Sequence, residues 1–210
     1  MREQVFARQK ELGVVPADAE LPPRNDGFPT WDSLSETERR LYARQMETYA
    51  GYSENADWNV GRVLDAIEEM GELENTVVIW IWGDNGASME GTLTGTFNEM
   101  TTLNGIPLTP EQQMGLLFKH GGLEAWGGEQ LAPHYSAGWA WAGNTPFRRW
   151  KRETYRGGVT DPCIVSWPVG IAARGEVRHQ YAHLVDIVPT LLDTLGITPP
   201  ATIGGVEQSP

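Results

Sequence analysis

The sequence predicts an α/β protein in three layers, with its strands in one mixed sheet and helices packed on the faces. Three features carry that reading. Val77-Val78-Ile79-Trp80-Ile81-Trp82 is an apolar run without polar alternation. That is the pattern of a strand covered on both faces, as at the centre of a parallel sheet. Ile164-Val165-Ser166-Trp167, entered from Cys163 and closed by Pro168, is a second strand of the same buried type. Helical periodicity over residues 36–70 and 186–195 supplies the covering layers.

In chain order, residues 1–34 read as an irregular connector. A helical turn or two opens it, and Pro16, Pro22, Pro23 and Pro29 with Asn25-Asp26-Gly27 break the rest. Residues 35–85 hold a helix and the first strand. Ser35-Glu36-Thr37-Glu38 is a capping box, with Ser35 as N-cap and Glu38 reaching back to it. Behind it Leu41, Met46, Tyr49, Ala56, Val60, Val63, Leu64 and Ile67 recur mostly at three- and four-residue steps, and Gly71 ends the pattern. Asp57 falls inside this helix near the apolar stripe and reads as a solvated or locally hydrogen-bonded carboxylate.

Residues 86–150 follow no single period and read as pocket loops. A region of that length without regular structure is usually a lid or a pocket wall. One helical piece is expected within it, over Thr109–His120 and opened by Pro110. Gly138-Trp139-Ala140-Trp141-Ala142 offers indole surface for an aromatic or sugar ring, with ordinary core as the equal alternative. Residues 151–197 carry the second strand and a last helix, with Asp186 as N-cap, Pro189 in the first turn and Gly196 as the stop. Residues 198–210 form a tail with no packing signal.

Composition narrows the function classes. Lys+Arg is 16 against Asp+Glu 28, a net charge of −12, and such an acidic surface repels phosphate backbones, so nucleic acid is excluded as a partner. No apolar run approaches the roughly 20 residues that span a bilayer. Cys163 is the single cysteine, which excludes an intrachain disulfide and leaves the compartment, cytoplasmic or periplasmic, open. It lacks the neighbours of a reactive thiol and reads as a packing residue.

Two stretches carry chemistry. Asp84 and Asn85 stand just past the first strand, where ligands of open α/β folds sit, and offer hard oxygen donors to Ca²⁺ or Mg²⁺. On that stretch alone a turn at Asn85-Gly86 is the stronger reading. Arg148, Arg149, Lys151 and Arg152 form a basic cluster suited to an anion, although a solvated charge run is the commoner case.

Together the segments resemble the sulfatase family, specifically the bacterial arylsulfatase branch of the alkaline-phosphatase-like superfamily, over about residues 10–207. Tyr49–Leu64, with Asp57 and Gly61-Arg62-Val63-Leu64, is similar to the helix before the family's metal strand, and Val77–Ser88 to that strand and its Gly-Asp-Asn-Gly-Ala-Ser loop. Gly91–Glu99 and Gly138–Lys151 resemble pocket-lining loops, and Ile164–Pro168 and Asp186–Leu192 a later strand and helix. The resemblance implies an alkaline-phosphatase-like three-layer sandwich and hydrolysis of sulfuric esters. It implies one Ca²⁺ (or Mg²⁺) with Asp84 and Asn85 among its ligands. It also implies that Lys151, closing Thr145-Pro146-Phe147-x-x-x-Lys151, holds a sulfate oxygen. It gives no role to His134, which reads as a loop histidine.

Two departures stand out. Tyr155-Arg156 precede Gly157-Gly158 where the family often has an acidic residue or histidine. The family's nucleophile, a formylglycine made within Cys/Ser-x-Pro-x-Arg, has no counterpart, since Cys163 is followed by Ile-Val-Ser-Trp. The expectation is therefore a partial sulfatase catalytic domain, inactive alone, whose partner is a missing N-terminal portion of the same protein and whose natural start is not Met1. Two alternatives stay open: a phosphoryl or phosphonate hydrolase of the same superfamily, and a non-catalytic module that binds an anion or a partner subunit.

Overall fold

A capping box sets the start of the longest helix in the computed structural model, which describes residues 1–83 and 85–208. The chain divides into two units, Met1–Arg174 and Gly175–Pro210. In the first, α1 spans Arg2–Glu11, a fuller helix than the turn or two expected. It is anchored by Arg2, whose buried guanidinium donates to Thr145 Oγ1 at 3.2 Å and to the Pro146 and Phe147 carbonyls at 3.1 Å each. Burial pulls that guanidinium down to about 10, still charged at neutral pH.

Helix α2 spans Glu36–Glu69. The Ser35 hydroxyl accepts from the Glu38 N–H at 3.2 Å, and the Ser35 N–H donates to the Glu38 carboxylate at 2.7 Å, completing the predicted box. Only its front half enters the core. Leu41, Tyr42 and Gln45 are buried, whereas Val60, Leu64 and Ile67 are half-buried and Val63 is exposed. Asp57 is exposed, as expected. Leu34, Leu41 and Tyr42 pack with Phe97, Leu117 and Trp126. The core of this unit thus lies between α2 and the loop region, away from the strands.

The loop region holds more helix than its composition suggested, and the side chains of Asn98 and Thr109 cap two of its three helices. α3 covers Glu99–Leu103, α4 Pro110–Leu117 and α5 Ala137–Gly143. Thr109 and Gln112 form a second capping box ahead of α4, at 3.2 and 2.9 Å. A single turn, α6, covers Arg156–Val159.

The strands β1 (Val78–Ile81) and β2 (Cys163–Ser166) are antiparallel, Val78 opposite Ser166 and Ile81 opposite Cys163. Helices with small sheets are consistent with the expected α/β class, and the partner of β1 among the described residues runs antiparallel to it, not parallel. The described residues form two sheets, each two-stranded and antiparallel. β1 is half-buried along its length and β2 wholly exposed. An unbroken apolar run reports that a strand gains from cover on both faces. It does not report that the cover lies within the same 210 residues. Cys163 is exposed, so it is not a packing residue. Among the described residues β1 pairs with a strand far downstream, not across a hairpin at Asn85-Gly86.

In the second unit α7 spans Ile187–Thr194, with Ile187, Leu191 and Leu192 half-buried along one face. Asp186 makes no side-chain cap there. Its carboxylate accepts the His183 N–H at 2.7 Å instead, capping a 3₁₀ turn one step earlier. Gly196 takes the left-handed conformation that ends the helix, φ 65°. The tail read as unpacked contains a hairpin, β3 (Thr202–Ile203) and β4 (Val206–Glu207), turned by Gly204-Gly205.

Two outcomes follow. Gln45 is 1% exposed, donates to the Thr94 carbonyl and accepts from the Ser136 N–H, both at 2.9 Å. Gln45→Leu keeps the volume and strands both backbone groups, so chemical denaturation followed by circular dichroism is expected to show a loss of about 2–4 kcal/mol. The isolated chain is expected to self-associate, since Ile164 and Val165 stand 63% and 50% exposed on β2. Light scattering that returns a monodisperse monomer with a cooperative melt would overturn that.

Candidate functional site

The loop that leaves β1 is held against a distant segment by backbone contacts that only glycine permits. Gly86 has φ +80°, and a Cβ there would stand 1.8 Å from the Gly157 carbonyl oxygen. The Gly86 N–H donates to Asp161 Oδ1 at 3.2 Å. The next residue, Ala87, donates its N–H to Asn144 Oδ1 at 3.1 Å and accepts the Lys151 N–H at 3.1 Å. Asn144 also donates from Nδ2 to the Arg149 carbonyl at 2.9 Å and to the Gly157 carbonyl. One amide side chain thereby ties the loop to the segment carrying Lys151. Of the sequence-predicted residues, Lys151 is brought to this loop, Asn85 is exposed within it, and Asp84 lies outside the described residues.

A polar network extends from Lys151. Its Nζ donates to Glu90 Oε2 at 3.0 Å, while Arg152 Nη1 lies 3.9 Å from Glu90 Oε1. The Ser88 hydroxyl donates to Glu90 Oε2 at 3.1 Å and lies 2.8 Å from His134 Nε2. His134 Nδ1 lies 2.8 Å from the Tyr135 carbonyl oxygen, which can only accept, so that nitrogen carries the proton. The His134 backbone exchanges two 2.8 Å hydrogen bonds with Thr96. The hydrogen bond from Lys151, foremost, holds the Glu90 carboxyl below the usual glutamate range. Because the folded value is depressed, the contact's stabilisation is present above the ordinary glutamate range and is lost as pH falls through the lowered value. Beside the pair lies an open cavity of about 320 Å³ lined by Met89, Glu90, Thr92, Thr102, Leu103 and Arg152.

The basic cluster does not act as a unit. Arg149 lies over the Trp150 and Tyr155 rings at 5.7 and 5.8 Å, and Arg148 is exposed. Only Lys151 and Arg152 converge on Glu90. The tryptophans of α5 are structural. Trp139 donates its indole N–H to the Tyr42 carbonyl at 2.8 Å, and Trp141 lies between Phe28 and Arg2.

The donors at the β1 end suit a hard divalent cation. Asn85 is exposed just past the strand, and the Asp161 carboxylate reaches the same loop at Gly86. A second grouping, Glu90, Glu99 and His134, brings its donor atoms within 4.8 Å of one another. There Glu90 is already engaged by Lys151 and Ser88. The sequence has no Cys/Ser-x-Pro-x-Arg segment, and exposed Cys163 lies on β2 within Cys-Ile-Val-Ser. No helix is long and apolar enough to cross a membrane among the described residues.

Comparison with known proteins decides the family. The sulfatase family model matches residues 13–197. The chain belongs to the sulfatase family. It is 32% identical over 202 residues to an uncharacterized sulfatase of Schizosaccharomyces pombe, covering 95% of this chain and 34% of that protein. To an arylsulfatase of Klebsiella aerogenes it is 27% identical over 199 residues, covering 93% of this chain and 39% of that one. To the N-acetylgalactosamine-6-sulfatase of Homo sapiens it is 25% identical over 172 residues, 81% of this chain and 24% of that one. It spans 34–39% of the length of the first two. Membership carries an α/β fold of the alkaline-phosphatase-like kind and a family that typically uses a metal ion.

Sequence reasoning missed Asn144, Asp161 and Glu90, and left His134 without a task. Gly157-Gly158 was the one local sign that another backbone passes close by. Gly86→Ala is expected to disrupt the loop, lowering the melting temperature by several degrees, because the substitution meets both an unfavourable φ and a carbonyl oxygen. A calorimetric scan checks it.

Proposed function

We propose that this chain is a portion of an arylsulfatase-type sulfuric ester hydrolase, carrying part of a divalent-metal site and a sulfate-binding lysine, and inactive alone. The observation that supports the reading is the 3.1 Å bond from the Lys151 N–H to the carbonyl of Ala87, two residues after Asn85. On this reading the lysine and a metal would act together on one anionic ester. Lys151 would bind a sulfate oxygen and stabilise the charge that develops on it, an effect that is large where water is excluded. Asp84 and Asn85 would hold Ca²⁺ or Mg²⁺, which when bound polarises sulfate oxygens and orients the attacking group. The nucleophile would come from outside these 210 residues, and no covalent step is assigned to any residue here.

The test uses para-nitrophenyl sulfate with two proteins, the 210-residue chain and a longer reading of the same gene that includes a Cys/Ser-x-Pro-x-Arg segment. The chain alone is expected to release no nitrophenol, and the longer protein to turn over. Lys151→Ala in the longer protein is expected to lower kcat/KM by about 10²–10³, the scale for removing one electrostatic contact to the transition state. A longer protein that prefers para-nitrophenyl phosphate, or that is indifferent to Lys151→Ala, would overturn the proposal.

A further inference from the structure

Lysine has a long flexible stem and an ammonium that binds as a point charge, so an anion site built on it needs something else to say where the charge stands. Lys151 is fixed at its backbone by Ala87, and its side chain is fixed by one carboxylate, Glu90, at 3.0 Å. That carboxylate is itself held from behind by Ser88 at 3.1 Å. Ser88 lies 2.8 Å from His134 Nε2, and His134 is tied at its other ring nitrogen to Tyr135 and along its backbone to Thr96. We infer that Glu90 is the positioning residue for Lys151, and that Ser88 and His134 hold Glu90 in place. This rests on the reading of Lys151 as the sulfate-binding residue.

Two further observations support it. Positive φ in a non-glycine residue occurs, among the described residues, only at Thr92 (62°) and Arg152 (75°). Thr92 lies two residues after Glu90 and Arg152 directly after Lys151, so both arms of the pair carry conformations that persist only where the surroundings enforce them. The arrangement also leaves the lysine usable. An ammonium has three donors, of which Glu90 takes one, leaving two for sulfate oxygens. Arg152, 3.9 Å from the other Glu90 oxygen, offsets the repulsion between that carboxylate and an incoming anion. A metal at Glu90, Glu99 and His134 is the competing use of these groups, but the Ser88 hydroxyl already bonds to Glu90 and contacts His134.

The chain has three lysines, Lys10, Lys119 and Lys151, which makes amine labelling decisive. The full 210-residue chain is reductively methylated at neutral pH and each lysine is read by peptide mass spectrometry. In the parent chain Lys151 is expected to react more slowly than exposed Lys119. Glu90→Gln is expected to raise the Lys151 rate about three- to five-fold, the scale of one partly shielded ion pair. Glu90→Asp should recover part of the protection and Ser88→Ala lose part of it, with Lys10 and Lys119 unchanged. A Lys151 rate that is the same in the parent and all three variants sinks the inference. A melting curve recorded for each variant separates this from unfolding. If Glu90→Gln fails to fold, Ser88→Ala, which keeps the carboxylate, carries the test alone. In the longer protein, Glu90→Gln should lower kcat/KM for para-nitrophenyl sulfate and Glu90→Asp restore part of it. A labelling contrast that holds while no form turns over sulfate esters would leave the positioning role standing and remove the sulfatase reading.

Discussion

The buried amide of Gln45 is the contact on which the arrangement of the site depends. A long stretch without strands must still satisfy its backbone N–H and C=O groups once they leave water. Gln45 meets that demand from α2, giving a donor to Thr94 and an acceptor to Ser136 at the heart of the loop region. Those two loops then pair through Thr96 and His134. His134 contacts Ser88, Ser88 bonds to Glu90 and Glu90 to Lys151, so the position of one ammonium traces back to a side chain on the longest helix. The capping box at Ser35 belongs to the same chain of causes, because it sets where α2 starts and hence which residue reaches the loops.

Asn144 does for the Lys151 segment what Gln45 does for the loops, with a different balance of forces. Three backbone groups from separate turns converge on its one amide. The approach is close because Gly86 and Gly157 present no side chains. A Cβ at Gly157 would stand 1.7 Å from the Arg149 carbonyl oxygen. Short polar links of this kind hold a site more firmly than apolar packing could, because each is directional and leaves an unpaired buried group if it slips.

What could be read from the sequence was what is local in the sequence. Ser35 and Glu38 are three residues apart, and so are Thr109 and Gln112, so both helix starts were visible or nearly so. β1 and β2 were legible as strands, but their pairing and burial were not, since both depend on what lies across from them. α5 was hidden because small residues and two indoles carry no helical period. The motif around Asp84, Asn85 and Lys151 was found through family resemblance. The partners that organise it lie 46, 57, 61 and 75 positions away along the chain, for His134–Ser88, Ala87–Asn144, Lys151–Glu90 and Gly86–Asp161. Nothing in a single sequence marks contacts of that range.

The charge pattern gives the last step. A chain of net charge −12 sets a repulsive field for anions, which screening shortens to about a Debye length. An unpaired lysine in that field would be drawn to whichever carboxylate was nearest, and its position would vary. Pairing it with Glu90 makes the choice of carboxylate part of the fold. With Arg152 beside them and Glu99 close to Glu90, the cluster sets two cations against two carboxylates, so the lysine is held without a surplus of charge.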